Sequence, residues 1–187
     1  MIKRPPQPPQ LFVAIWTVVG LALTITGTFF QPHLFLGSLF QVNTTLQVGA
    51  VLLTGCVGGK NAGLFSQLAY VGLGLAGFPF FYFGGGLDYL RSPAIGFLFG
   101  LIPGAWLCGY FAFLKPPSLS RLFFCCSTGL GVIHGVGIIW LICTKLPHFS
   151  VITDLVWQHS LRLLPGQLVV MAAAILIAKL FRSVLAY

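Results

Sequence analysis

Six apolar runs, near 11–30, 42–58, 63–83, 93–114, 119–144 and 161–181, follow one another with only short connections between them. A helix needs about 20 mostly apolar residues to cross a bilayer, so this pattern commits nearly the whole chain to a membrane. In hydrocarbon each backbone N–H and C=O must find its partner inside the element, and a long apolar run therefore becomes a helix. The expected fold is all-α and integral to the membrane, a bundle of six transmembrane helices in a single domain spanning 1–187. Residues 1–10 form a short cytoplasmic N-terminal stub. Lys3, Arg4 and the Pro-rich stub before the first run resemble a signal peptide, but the length of that run and the five that follow point to a retained helix. Six spans use up 187 residues, which leaves no room for an ATP-hydrolysing domain.

Charge separates the possible partners. Only 6% of residues are charged, where a soluble domain carries about a quarter. The net charge of +8 comes from ten Lys and Arg scattered singly between apolar runs, with no basic stripe of the kind that binds nucleic acid. Those cations read as topology signals. With the N-terminus cytoplasmic, Lys3, Arg4, Lys60, Lys115, Arg121, Lys179 and Arg182 fall inside and only Arg91, Lys145 and Arg162 outside, as the positive-inside rule requires. The expectation is a multi-pass protein of the cell membrane, surrounded by lipid, with both termini cytoplasmic.

Helices in lipid gain little from mutual apolar burial, so small residues that allow close approach become the glue. Gly96, Gly100 and Gly104 repeat at i, i+4, i+8 in the fourth run, Ser127, Gly131 and Gly135 do so in the fifth, and Ala174 and Ala178 pair in the sixth. Five cysteines, Cys56, Cys108, Cys125, Cys126 and Cys143, lie mostly inside apolar stretches without C-x-x-C or Cys/His metal spacing, and read as small buried thiols.

Polar groups in lipid are costly, which makes the few present informative. Asp88 and Asp154 are the only carboxylates and both fall in outer connections, so none sits in the membrane for acid/base work. No Ser/His/Asp set, phosphate loop or H-E-x-x-H is present. The reading is a protein that is not an enzyme and needs no cofactor or metal. Polar and glycine residues instead gather on the outer side by odd/even topology. Gln41, Asn43, Thr44, Thr45 and Gln47 open the second helix, Gly84, Gly85, Gly86, Asp88, Tyr89 and Arg91 fill the connection before the fourth, and Arg162, Gly166 and Gln167 begin the sixth. Singly, the glycines turn the chain and the amides cap helices. Together they suit a ligand pocket, with Phe78, Phe80, Phe81, Tyr82 and Phe83 as apolar walls. His134, near the middle of the fifth helix, is either a ligand contact or a neutral histidine bonded across a helix interface, and the second is preferred. His33, His148 and His159 sit in outer connections.

Several of these stretches resemble, in order, those of the BioY family, the biotin-specific substrate-binding S components of energy-coupling factor (ECF) transporters. Val42-Asn43-Thr44-Thr45-Leu46-Gln47 resembles V-P-I-T-L-Q. Tyr70-Val71-Gly72-Leu73-Gly74-Leu75-Ala76-Gly77-Phe78-Pro79-Phe80-Phe81 resembles Y-L-x-L-G-L-x-G-L-P-V-F. The stretch from Gly86 to Gly100 resembles G-L-x-Y-L-L-G-P-T-x-G-Y-L-L-G, Gly137-Ile138-Ile139-Trp140-Leu141 resembles G-V-P-W-L, and Leu163-Leu164-Pro165-Gly166-Gln167-Leu168 resembles F-L-P-G-D-L.

The resemblance implies an S-component-like bundle that binds biotin from outside and reorients when coupled to a transmembrane T component and two ATPase subunits. It makes Gln47, Gly84, Gly85, Gly86, Tyr89, Phe97 and Gln167 the pocket candidates. The ureido ring would take amide partners, the fused rings an aromatic wall, and the carboxylate a donor or cation. The chain departs from the family at telling places. Gln167 and Val170 stand where P-G-D-x-x-K has its acid and lysine, Phe97 replaces a tyrosine, and His134 stands where a tyrosine is common. Arg91, Arg162 or helix N-terminal amides are the available substitutes for the missing cation. In the first helix, Ala14, Val18 and Ala22 interrupt the A-x-x-x-A spacing through which S components touch the T component. The alternatives to a biotin S component are a related S component for another small ligand and a membrane scaffold that no longer transports.

Overall fold

The computed structural model describes residues 8–30, 33–35, 41–43, 45–146 and 149–184. Helix α1 (Gln10–Phe29) leads to a two-stranded antiparallel hairpin of β1 (His33–Phe35) and β2 (Gln41–Asn43). Then follow α2 (Gln47–Leu75), a 3-10 turn at Leu87–Arg91, α3 (Ile95–Ala112), α4 (Leu119–Lys145), α5 (Phe149–Val156), a π-helical turn at Trp157–Leu161, and α6 (Leu164–Val184). Most of the stub, residues 1–7, lies outside the described residues, as do Thr44 and His148.

The architecture is helical, as expected, with the short β1–β2 hairpin added. Among the described residues, five helical segments are long and apolar enough to cross a membrane: Gln10–Phe29, Gln47–Leu75, Ile95–Ala112, Leu119–Lys145 and Ser150–Val184. The second of these is not one straight rod. Gly59 interrupts it with φ +83° and ψ 179°, a conformation essentially reserved for glycine. In a straight helix, positions 47 and 70 would stand about 35 Å apart at ~1.5 Å per residue. Yet Gln47 Nε2 donates to the Tyr70 hydroxyl at 3.1 Å. Residues 47–58 and 60–75 are therefore two limbs that double back on each other at Gly59.

The helices end where their sequences say they must. The second limb of α2 stops at Leu75, short of the 63–83 run, because Gly77 takes φ +109° and Pro79 cannot continue a helix. Helix α4 starts where Ser118 accepts from the Arg121 backbone N–H at 3.3 Å, a side-chain N-cap. Helix α5 and the π-helical turn occupy a stretch that sequence patterning leaves as an outer connection.

Close approach holds the bundle together. A Cβ added at Gly100 would meet the Ile133 carbonyl oxygen at 2.7 Å, and one at Gly104 would meet the Gly129 oxygen at 2.9 Å, so α3 and α4 pack nearly backbone to backbone. The expected Gly96, Gly100, Gly104 seam is thus present, and Ala174 and Ala178 are buried. The expected seam on α4 is not. Gly131 and Gly135 face open space, and Gly129 and Gly137, on the opposite face, make the contacts. Helix α1 lies across both limbs of α2, where Gly20 meets Thr54 and Gln67 donates to Thr24 Oγ1 at 3.0 Å. Thr17, Thr24 and Thr28 return their hydroxyls to carbonyls four residues back, which satisfies them without water.

The two ends of the bundle differ in charge. At the Gly59 end, Lys60 lies over the Tyr110 ring, Arg121 donates to Phe111 O, Arg182 to Ala112 O and Lys179 to Pro117 O. Arg121 and Arg182 thereby meet carbonyls at the C-terminus of α3, where the helix dipole favours positive charge.

Candidate ligand-binding site

At the other end, six segments converge on a cavity of about 200 Å³. Thr28 comes from the end of α1, Gln47 from the start of α2, Tyr70 from its second limb, Phe97 from the first turns of α3, His134 from α4 and Gln167 from the start of α6. Tyr82, Phe83 and Tyr89 close it from the connection before α3, and His159 from the π-helical turn.

Two hydrogen-bond assemblies shape the polar lining. In the first, the fully buried Tyr70 hydroxyl donates to Phe80 O at 3.1 Å, accepts from Gln47 Nε2 and lies 3.0 Å from Thr28 Oγ1. In the second, His134 Nε2 stands 2.7 Å from Gln167 Oε1 and Nδ1 stands 2.8 Å from Ser160 Oγ. Because the amide oxygen can only accept, the Nε2–H donates to it, and Nδ1 shares a hydrogen bond with the Ser160 hydroxyl. This ties α4 to α6 and to the turn before it, and leaves the Gln167 NH₂ group without a protein partner among the described residues. The contacts of His134 run across a helix interface, and the same ring also lines the cavity.

Aromatic rings build the walls. Phe97 packs edge-on to His134 with centroids 5.9 Å apart and stacks on His159 at 6.2 Å. Tyr89 lies against the buried Phe81 at 4.7 Å, and Phe81 also supports Tyr70 at 5.5 Å. Burial raises the Tyr89 hydroxyl above its ordinary range, so it stays protonated and able to donate.

Of the residues singled out from sequence, Gln47, Tyr89, Phe97, His134 and Gln167 come together on this cavity. Gly84, Gly85 and Gly86 do not line it but shape its rim. Gly84 and Gly86 adopt φ of +109° and +97°, and a Cβ at Gly85 would strike the Phe78 carbonyl oxygen. The Gly86 N–H caps the end of α2 by donating to Gly74 O at 2.7 Å, which fixes the connection that carries Tyr82, Phe83 and Tyr89 at the cavity mouth. Arg91 is exposed at the end of the 3-10 turn and stands outside the lining, as does Arg162. Among the expected wall residues, Tyr82 and Phe83 line the cavity, Phe81 sits behind it, and Phe78 and Phe80 stack on each other at 5.4 Å. Sequence reasoning missed Thr28, Ser160 and the role of the Tyr70 hydroxyl. Tyr70 was within reach, since it opens a quoted stretch, whereas Ser160 carries no local signal. Gln41 and Asn43 fall in β2 and His33 in β1.

The BioY family model matches residues 8–187. The chain belongs to the BioY family. It is 30% identical over 190 residues to an uncharacterised 21.2 kDa protein in the psbX-ycf33 intergenic region of Cyanophora paradoxa, covering 93% of this chain and 96% of that one. It is 40% identical over 101 residues to the biotin transporter BioY of Thermotoga maritima, covering 54% and 59% of the two chains. Its fold matches the crystal structure of an S component for biotin from an ECF-type ABC transporter with a TM-score of 0.72 at 20% identity, over 93% of this chain and 92% of the other. In this BioY family chain the lining thus combines two amides, three tyrosines and two histidines, with no Lys, Arg, Asp or Glu lining the cavity among the described residues.

Proposed function

We propose that this chain is the substrate-binding subunit of an ECF-type importer and that biotin is its ligand, held in the cavity beneath the glycine-rich connection. The observation that carries the reading is the convergence of Gln47 and Gln167 with Tyr89 and Phe97 on one cavity. Amides offer both donor and acceptor to a ureido ring, and aromatic faces suit its fused ring system. The partners in this reading are a T component and ATPase subunits, since the chain itself presents no nucleotide-binding loop.

The same reading gives the chain six membrane crossings in one domain, with the limbs 47–58 and 60–75 counted separately. An even count leaves both termini on one side. The cluster of Lys60, Arg121, Lys179 and Arg182 at the Gly59 end supports a cytoplasmic location for that end, and the cavity then opens outward. On α1, Ala14, Val18 and Ala22 form an exposed stripe that this reading makes the T-component contact, with Val18 interrupting its small-residue spacing.

One observation favours a second reading, a less acidic ligand: among the described residues the lining carries no fixed cation for a carboxylate. Thermal stabilisation of the purified chain by biotin and by biotin amide separates the two. Biotin as the stronger stabiliser supports the first reading, and stabilisation by the amide alone supports the second. Stabilisation by neither counts against both and in favour of a scaffold.

A further inference from the structure

Cys56 from α2, Cys108 from α3 and Cys126 from α4 bring their sulfurs together in the bundle interior, away from the ligand cavity. Cys56 Sγ lies 3.5 Å from Cys108 Sγ and 3.5 Å from Cys126 Sγ, and all three sulfurs fall within 4.8 Å of one another. Each side chain is fully buried. Glycine makes the meeting possible: a Cβ at Gly129 would stand 3.0 Å from Cys108 Cβ and 2.9 Å from Gly104 O, and one at Gly55 would stand 2.7 Å from Ala105 O.

A second observation points to a negatively charged occupant. Arg182 is buried, donates through Nη1 to Ala112 O at 2.7 Å and lies over the Phe113 ring at 4.2 Å. Among the described residues its Nε and Nη2 have no hydrogen-bond partner. Neutral thiols alone give such a buried, half-satisfied cation nothing to balance.

We propose that Cys56, Cys108 and Cys126 form a three-sulfur site for a soft monovalent metal ion, Cu(I). Three converging sulfurs match the ligand preference of Cu(I). Structural Zn(II) takes four ligands, and among the described residues no fourth His, Cys, Asp or Glu joins the cluster. Each sulfur that binds as thiolate releases its proton to bulk water, and the oxidation state of the metal does not change. Two thiolates and one retained thiol around a monovalent ion leave a single negative charge, which the Arg182 guanidinium offsets in the apolar interior.

The test uses the full chain, purified in detergent under anaerobic conditions with a non-thiol reductant, and titrates Cu(I) against a chromophoric chelator. Expected are about one Cu(I) per chain and an X-ray absorption spectrum with sulfur neighbours only. Cys56→Ser or Cys126→Ala should weaken binding by more than the roughly 10–100-fold that loss of an outer-shell partner costs, whereas Cys143→Ala, at an exposed position, should leave it unchanged. Substoichiometric uptake, nitrogen or oxygen ligation, or equal affinity in the Cys56 and Cys126 variants would overturn the site. If a variant fails to fold, stoichiometry and spectrum of the unsubstituted chain decide alone. None of these outcomes depends on whether the outer cavity binds biotin.

Discussion

Tyr70→Phe removes one oxygen atom and tests how the cavity is held open. The ring keeps its volume and its contact with Phe81, so no packing void forms. What disappears is the hydroxyl that donates to Phe80 O and accepts from Gln47 Nε2. A buried group left without its partner costs about 1–3 kcal/mol. The Gln47 amide lines the cavity and can find water there, so most of the cost falls on the Phe80 carbonyl, giving a total of about 2 kcal/mol. For a chain of this length that lowers Tm by roughly 4–8 °C, on the scale of about 2–4 °C per kcal/mol. Because Gln47 also loses the bond that fixes its rotamer, ligand affinity should fall by about one hydrogen bond, ~1 kcal/mol or roughly fivefold. Melting in detergent and equilibrium binding on the same preparation measure both. A Tm within about 1 °C of the unsubstituted chain, together with unchanged affinity, would refute the idea that Tyr70 anchors the cavity.

Gly59→Ala places a Cβ at φ +83° and should cost about 1–3 kcal/mol, read as a lower Tm; equal stability would mean the fold between the two limbs differs from the one described. Val18→Arg, on the exposed face of α1, should abolish uptake in cells while leaving ligand binding by the purified chain intact, and loss of both would argue that the stripe is structural. Gln167→Asp shortens the side chain by one methylene, gives up the 2.7 Å contact with His134 Nε2 and should lower Tm by a few degrees, on the scale of about 2–4 °C per kcal/mol for a bond worth ~1 kcal/mol. An unchanged Tm would contradict the assigned contact. Pairing that change with Val170→Lys is less direct than the sequence alone implies, because the Val170 side chain lies against Gly49 and outside the cavity.

The fold was legible where hydrophobic runs are long, as in α1, α3 and α4, because in lipid a 20-residue apolar run has one good solution. It was less legible where backbone geometry decides. The end of α2 at Leu75 depends on Gly77 and Pro79 overriding an apolar pattern that continues through Phe83. Likewise, the Gly131 and Gly135 spacing satisfies the small-residue pattern, yet the face that meets α3 is set by Gly129 and Gly137. For the site, the amides and aromatics at the beginnings of helices could be read because polar groups are rare and topology puts them on one side. Arg91 could not be excluded from sequence, since only the 3-10 turn turns it outward. Ser160 and the three-cysteine cluster depend on contacts between residues 26 to 70 positions apart, and no local spacing encodes those.

The most direct measurement is equilibrium binding of labelled biotin to the purified chain, compared with Gln47→Leu and Gln167→Leu. The expected result is saturable binding of about one biotin per chain at micromolar ligand or below, weakened about fivefold or more in each variant by loss of an amide contact worth ~1 kcal/mol. Absence of binding at micromolar biotin, or binding that both variants leave untouched, would contradict a biotin site in this cavity.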